Sequence, residues 1–187
     1  MYDYNQFKTH VVEPTLREFG LWSPAAELLL LGTVAAESSG GEYLAQLNGP
    51  ALGAYQIEPN THSDVWANYL AYRPDRLDQI RCSLGYHMRP PHERLITDLA
   101  YSTLIARLIY LRVPEPLPAV YNIPGLAAYW KSHYNTHLGR ERPTTGWTPS
   151  LNGRGTNYVC TIFTHSHLRL DSNGCWRARV SRELVRR

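Results

Sequence analysis

One carboxylate stands out because of its position in the sequence. Glu37 ends an apolar run that begins at Leu28, and it is followed at once by Ser38, Ser39 and two glycines. Apolar surroundings disfavour a charged carboxylate, and so does the negative end of a helix dipole. Both effects favour the protonated form. This position therefore suits a general acid that delivers a proton to a substrate.

The helix that must position Glu37 has clear limits. In GLWSPAAELLLLGTVAAE, Ser23 can cap the first turn and Pro24 suits the first helical position. Apolar side chains cover nearly every side of this helix, so it is predicted to lie at the centre of the fold. The SSGG sequence ends it, and the glycines and proline in residues 43–60 predict turns with short strand pairing.

The remaining pattern predicts a mainly α-helical domain over residues 1–139, with a small turn or β-hairpin element. The clearest segment is PPHERLITDLAYSTLIARLIYLRVPEP, which predicts one long helix ended by Pro114 and Pro116. Other predicted helices cover residues 2–20, interrupted by Pro14, residues 60–74, about 75–84, and about 124–139.

A change of composition follows at about residue 140. Residues 1–137 hold 10 Lys and Arg against 13 Asp and Glu, whereas residues 138–187 hold 9 against 3. The net charge of +3 therefore comes from a basic extension rich in Gly, Pro and Arg. We expect residues 140–187 to form an irregular tail, partly disordered, that could attract anionic polymers.

Several functional classes receive little support from the sequence. The longest apolar run is too short to span a bilayer, and the N-terminus has no pattern of a signal peptide. The Arg residues are spread out, so specific nucleic-acid binding is not expected. No cofactor or metal is expected, although His165 and His167 are a weak metal-binding candidate. A Cys160–Cys175 disulfide remains open.

The sequence AAESSGG…GPALGAYQIEPNT resembles the signature of lytic transglycosylases of the soluble-lytic-transglycosylase type, within the lysozyme-like superfamily. Members of this family have a helix that ends in Glu-Ser, which Glu37 and Ser38 supply. A turn follows that carries Gln, an apolar residue, Pro and Thr, which the segment 51–61 supplies. The resemblance covers about residues 20–139 and implies a lysozyme-like fold that cleaves peptidoglycan.

The resemblance also implies roles for individual residues. Glu37 would act first as acid and then as base, and Gln56 would hydrogen-bond the substrate. Ser38 would support Glu37 or a sugar, and Tyr55, which replaces a smaller residue of the family, could stack on a sugar ring. The family's third element is a Tyr-Asn pair, for which we prefer Tyr134 and Asn135, at a helix end. Tyr134 would hold the acid or the acetamido group of the substrate.

Two alternatives concern this third element and the reaction type. Tyr121 and Asn122, in a proline-rich loop, compete for the role of the Tyr-Asn pair. A hydrolase of this superfamily usually has a second carboxylate, for which Glu42, Glu58 and Asp64 are the nearby candidates. Because neither Glu42 nor Glu58 has the expected context, we favour lytic transglycosylation of the MurNAc-GlcNAc β-1,4 bond over a water-using lysozyme.

The biological setting rests on resemblance as well. The segment YWKSHYNTHLG resembles bacteriophage-encoded members of the family. The expected partners are bacterial peptidoglycan and other phage virion proteins. The expected site of action is the periplasmic cell wall, reached from a virion or from inside the host cell. The rival interpretation is a phage structural or wall-binding protein that keeps the fold without catalysis.

Overall fold

The structure of this chain is a computed structural model that describes residues 1–135 and the backbone of two short strands further on. The chain divides into two compact units, Met1–Thr144 and Thr145–Arg187. The predicted domain boundary, between residues 139 and 140, lies outside the described residues and stays a prediction. Among the described residues, no helix is both long and apolar enough to cross a membrane.

Regular structure within residues 1–135 is helical, which confirms the prediction of a mainly α fold. The α-helices are α1 Tyr4–Phe7, α2 Glu13–Glu18, α3 Pro24–Ser38, α4 Pro59–Asn68, α5 Pro74–Leu84, α6 Arg94–Thr97, α7 Leu99–Leu111 and α8 Ile123–His133. A π-helical turn, Lys8–Val12, joins α1 to α2, and a 3₁₀ turn, Leu70–Tyr72, follows α4.

Pro14 does not interrupt the first helical segment as predicted. The backbone stays helical from Tyr4 to Glu18 and widens into the π turn just before the proline. In this turn the Glu13 N–H donates to the carbonyl of Lys8, five residues earlier. A wider turn relieves the clash between a proline ring and the carbonyl four residues before it, so the chain continues without a break.

Helix α3 runs through the core, as its apolar pattern predicts. The Ser23 hydroxyl accepts a hydrogen bond from the Ala26 N–H at 3.1 Å, and Pro24 occupies the first turn. Leu30 and Val34 are fully buried. The helix ends because Ser39 takes the left-handed conformation, at φ 52°. Glu37 therefore lies in the last turn of a buried helix.

The prediction of one long helix over residues 90–116 is wrong. Asp98 has an extended backbone, and its carboxylate accepts a hydrogen bond from the Tyr101 N–H at 2.9 Å. Such a cap starts a new helix, so α6 and α7 are separate. Helix α7 is buried almost throughout and packs against α2, α3 and α4. Periodicity alone hides this break, because the apolar pattern continues across Asp98.

The segment between α3 and α4 forms turns held by isolated β-bridges. Leu52 pairs with Ala45 on one side and with Ile57 on the other, and neither pairing extends into a regular strand. The expected strand pairing is present in this reduced form. Gly53 lies where the turn approaches α6 most closely, since a Cβ there would be 2.1 Å from the Leu95 carbonyl oxygen.

The C-terminal unit contains a two-stranded antiparallel pair, β1 Leu168–Leu170 with β2 Trp176–Ala178. In its register Arg169 pairs with Arg177. Within the tail that was expected to be irregular, these two three-residue strands satisfy their backbone groups as an antiparallel ladder. The rest of that expectation lies outside the described residues. Cys160, Cys175, His165 and His167 lie outside the described residues.

A polar network is enclosed where α4 meets α7. His62 is fully buried; its Nδ1 lies 2.8 Å from Nδ1 of His92, and its Nε2 is hydrogen-bonded to the Tyr101 hydroxyl. The Trp66 indole also donates to that hydroxyl, at 2.8 Å. Burial, followed by the nearby His92 and Arg89, lowers the pKa of His62 to about 4. A neutral imidazole is therefore part of the folded core.

This buried histidine predicts acid sensitivity. Because the folded pKa lies below the ordinary value of 6.5, the stabilisation is complete above pH 6.5 and is lost as the pH falls toward 4. The full contribution of His62 to the free energy of unfolding is about 3 kcal/mol. Denaturant unfolding at pH 7 and pH 4.5 should show a smaller pH dependence for His62→Gln than for the unsubstituted protein. Equal pH dependence of the two proteins would contradict this assignment.

Candidate functional site

The carboxylate of Glu37 is held by an indole from another helix. Helix α8 packs against α3, and the Nε1–H of Trp130 donates to Oε1 of Glu37 at 3.1 Å. Glu37 is half-buried, whereas only 5% of Trp130 is exposed. The acid is therefore fixed in direction at the edge of the core, with part of its surface open to solvent.

Ser38 joins the end of α3 to the turn that follows. Its hydroxyl oxygen accepts from the Gly41 N–H at 2.9 Å and lies 2.6 Å from the carbonyl oxygen of Ala54 and 3.0 Å from that of Val34. Its single hydrogen serves one carbonyl at a time. Because Ser38 is fully buried, the expectation that it binds a sugar is wrong. It supports the loop next to Glu37 instead.

Tyr134 fixes the next peptide of the same turn. Its hydroxyl donates to the carbonyl oxygen of Tyr55 at 2.9 Å, and its ring stacks on Tyr110 with centroids 5.1 Å apart. Two consecutive carbonyls, those of Ala54 and Tyr55, are thus held by hydroxyl groups from α3 and from the residue after α8. The turn cannot shift without breaking one of these bonds.

Tyr55 itself is a core residue. It is fully buried, and its hydroxyl shares a 3.0 Å hydrogen bond with Thr103 of α7. Burial strongly raises its pKa. The expectation that its ring stacks on a sugar is therefore wrong. A large aromatic residue at this position fills the space between the turn and α7, which the sequence could not distinguish from exposure.

Gln56 follows directly on this fixed turn with an unusual backbone. Its φ is 48°, a left-handed conformation that non-glycine residues adopt rarely and often at functional sites. Its side-chain nitrogen donates to the carbonyls of Gly53 at 2.8 Å and Tyr43 at 3.1 Å. The amide nitrogen is thereby oriented inward, and the side chain remains half-exposed.

Electrostatic coupling links the carboxylate to the two stacked tyrosines. Burial raises the pKa of Tyr110 well above its ordinary value, and the charge of Glu37 raises it further. Burial is also the main cause of the raised pKa of Tyr134, followed by Tyr110 and Glu37. Both phenols therefore stay neutral at physiological pH, and Tyr134 keeps the hydrogen with which it holds the turn.

Of the two Tyr-Asn pairs, Tyr134 and Asn135 lie beside this cluster. Asn135 is half-buried, and its backbone N–H donates to the carbonyl of Trp130 at 3.2 Å. Tyr121 is 83% exposed, and Asn122 caps α8 by accepting from the Gly125 N–H. Asn122 of the proline-rich loop thus caps a helix, whereas Tyr134 and Asn135 directly follow the end of α8.

The other carboxylates considered from the sequence have different surroundings. Glu42 and Glu58 are exposed. Asp64 forms a 2.5 Å ion pair with Arg112 and accepts a hydrogen bond from Asn68. The Asn68 hydrogen bond, followed by that of Arg112, lowers its pKa. Within the described part of the chain, no three His, Cys, Asp or Glu side chains are grouped as metal ligands.

Sequence reasoning missed Trp130. The only signal was its spacing, four residues before Tyr134, which places both on one side of a helix end. A tryptophan in YWKSHYN is otherwise indistinguishable from a core residue, and its partner lies 93 positions away in the sequence. Only the packing of α8 on α3 reveals the contact.

The assembled site has one oriented carboxyl group, a neutral phenol and an amide on a rigid turn. Such a set can transfer a proton to and from a polar ligand and hydrogen-bond that ligand beside the carboxyl group. No protein-family model, curated protein or solved structure matches this chain.

Proposed function

We propose that this protein is a peptidoglycan lytic transglycosylase with a lysozyme-like fold, encoded by a bacteriophage. The observation that carries the proposal is the position of Glu37. It ends a buried helix, is held by Trp130, and adjoins a turn that Ser38 and Tyr134 fix and that carries Gln56. Apart from Trp130, these are the elements that the sequence resemblance associates with cleavage of the MurNAc-GlcNAc β-1,4 bond.

The surroundings of the other acids favour a reaction with one carboxylate. A hydrolase of this superfamily usually uses a second carboxylate as nucleophile or base across the scissile bond. Glu42 and Glu58 are exposed, and Asp64 is engaged by Arg112 and Asn68. A transglycosylase needs only Glu37, because a hydroxyl group of the substrate replaces the attacking water.

The reaction then has two proton transfers through one group. Protonated Glu37 gives its proton to the bridging oxygen as the bond from that oxygen to C1 of MurNAc breaks, and GlcNAc leaves with a free 4-hydroxyl. The acetamido group assists at C1 during this step. The Glu37 carboxylate then takes the proton of the MurNAc 6-hydroxyl, whose oxygen attacks C1 and closes a 1,6-anhydro ring.

Gln56 and Asn135 are the proposed substrate-binding residues that remain after Ser38 and Tyr55 are assigned to the interior. Both side chains are half-exposed, and an amide can donate to sugar hydroxyls and accept from them. Because the Gln56 nitrogen is bonded to two backbone carbonyls, its oxygen is the atom that would accept from a sugar. Tyr134 orients the turn that presents this oxygen.

Mass spectrometry of the products tests the proposal directly. The purified protein is incubated with purified peptidoglycan, and the released muropeptides are analysed without chemical reduction. We expect 1,6-anhydro-muropeptides, which lack one water relative to the products of hydrolysis. Products with reducing ends would identify a lysozyme instead. The absence of any product would reject the catalytic function and favour a wall-binding or structural role.

A further inference from the structure

We infer that Trp130 is a positioning residue that assigns the catalytic proton to one particular oxygen of Glu37, namely Oε2. This inference rests on the proposed function and concerns the same site. It starts from the hydrogen bond of 3.1 Å between the indole Nε1–H and Oε1 of Glu37. Trp130 is the donor in that contact and would act through the carboxyl group without touching the substrate.

The assignment follows from the chemistry of the indole. Its Nε1–H can donate a hydrogen bond and cannot accept one. When Glu37 is protonated, a hydrogen on Oε1 directed at the indole would place two donors against each other. The carbonyl oxygen of a neutral carboxyl group is also a better acceptor than its hydroxyl oxygen, so the favoured arrangement has Oε1 as the acceptor and the proton on Oε2. A carboxyl group in solvent has no such preference between its two oxygens.

The same bond becomes stronger as the proton leaves. Once Glu37 has given up its proton, the indole donates to a full negative charge, and hydrogen bonds to charged acceptors are about twice as strong as neutral ones. Trp130 thus stabilises the carboxylate that proton donation produces. An interaction that strengthens along the reaction lowers the barrier, whereas one of constant strength does not.

Two titratable groups near Glu37 in the described part of the chain have hydrogen-bond partners of their own. Tyr110 of α7 and Tyr134 after α8 are the groups whose pKa values the charge of Glu37 raises, and both stay neutral. The Tyr134 hydroxyl donates to the Tyr55 carbonyl and the Tyr110 hydroxyl is hydrogen-bonded to Thr33. The Nζ of Lys131 lies 6.0 Å from the ring centroid of Trp130.

The test compares Trp130→Phe with the unsubstituted protein across a pH range, using soluble glycan strands from peptidoglycan. Loss of the donor should reduce kcat by about tenfold, with little change in KM. The carboxylate also loses a bond that favours its charged form, so ionisation of Glu37 needs a higher pH. The alkaline limb of the kcat/KM profile should therefore move up by about 1 pH unit.

The chain offers a matched control in Trp22, whose Nε1–H donates to Oε2 of Glu27 at 2.8 Å. Trp22→Phe removes the same kind of bond at a distance from the proposed site and should leave the pH profile unchanged. If Trp130→Phe lowered activity with no shift of the alkaline limb, the role of Trp130 would be structural and the inference would be overturned. An unchanged kcat would overturn it as well.

A second measurement separates this inference from the proposed function. Carbon-13 NMR of labelled glutamate follows the titration of the Glu37 carboxyl group, identified by the signal that disappears in Glu37→Gln. This titration should move to higher pH in Trp130→Phe and stay in place in Trp22→Phe, whether or not the protein cleaves peptidoglycan. If the protein released no product but the titration of Glu37 moved to higher pH in Trp130→Phe, the proposed enzymatic function would be rejected. The inferred effect of Trp130 on the Glu37 carboxyl group would still stand.

Discussion

Glu37→Gln is expected to reduce the release of anhydro-muropeptides from peptidoglycan by at least about 1,000-fold, since general acid–base groups contribute on the order of 10²–10⁴. The amide of glutamine cannot supply the proton that the bridging oxygen needs. The substitution should not disturb folding, because the glutamine oxygen can still accept the Trp130 hydrogen bond. Product release is measured by mass spectrometry, and folding by circular dichroism and thermal unfolding.

Glu42→Gln is the control for this substitution. It removes the same charge from an exposed carboxylate a few residues further along the chain, and it should retain full activity. If Glu37→Gln released product at the rate of the unsubstituted protein, Glu37 would not be the acid. A loss of activity in both variants would point instead to a general effect of charge on binding to the wall polymer.

Gly53→Ala should give a large loss of stability. The glycine has φ +74°, which costs an alanine about 1–2 kcal/mol. Its Cβ would also lie 2.1 Å from the backbone oxygen of Leu95, which cannot rotate away as a side chain could. We expect a total of about 3–4 kcal/mol, measured by denaturant unfolding. Activity should fall too, because Gly53 accepts a hydrogen bond from Gln56.

Two other glycines separate the backbone contribution from the clash. Gly20 has φ +62° and Gly85 has φ +72°, and an added Cβ would meet no atom within 4 Å at either position. Gly20→Ala and Gly85→Ala should therefore cost only the conformational part, about 1–2 kcal/mol each. If Gly53→Ala lowered the free energy of unfolding no more than these two substitutions do, the short distance between position 53 and the Leu95 carbonyl oxygen would be contradicted.

Helix positions were largely predictable because their signals are local. Ser23 and Pro24 mark the start of α3, and the apolar character of this helix predicts its burial. The signals failed where a local rule was overridden. Pro14 suggested a break that the π turn avoids, and the cap at Asp98 divides an unbroken apolar pattern. Each outcome depends on one hydrogen bond, from the Glu13 N–H to the Lys8 carbonyl and from the Tyr101 N–H to the Asp98 carboxylate, which a periodic pattern does not contain.

The candidate site was predictable in part. The sequence singled out Glu37 and Gln56 by type and spacing, and the contact of Ser38 with the Ala54 carbonyl joins the end of α3 to the turn that carries Gln56. It could not show that Tyr55 points into the core, because a tyrosine beside a glycine suits a buried position as well as an exposed one. Nor could it identify Ser38 as a support, since its acceptor is a backbone carbonyl of the turn.

The sequence by itself determined the helical character of residues 1–135, the acid at the end of a buried helix and the glycine-rich turn that follows it. These features depend on residue propensities and apolar periodicity over short distances. Tertiary structure alone decided which groups meet. Trp130 reaches Glu37 and Tyr134 reaches the Tyr55 carbonyl only because α8 packs against α3, and both contacts join residues about 80 or more positions apart. Local sequence patterns carry no information about contacts between residues so far apart in the sequence.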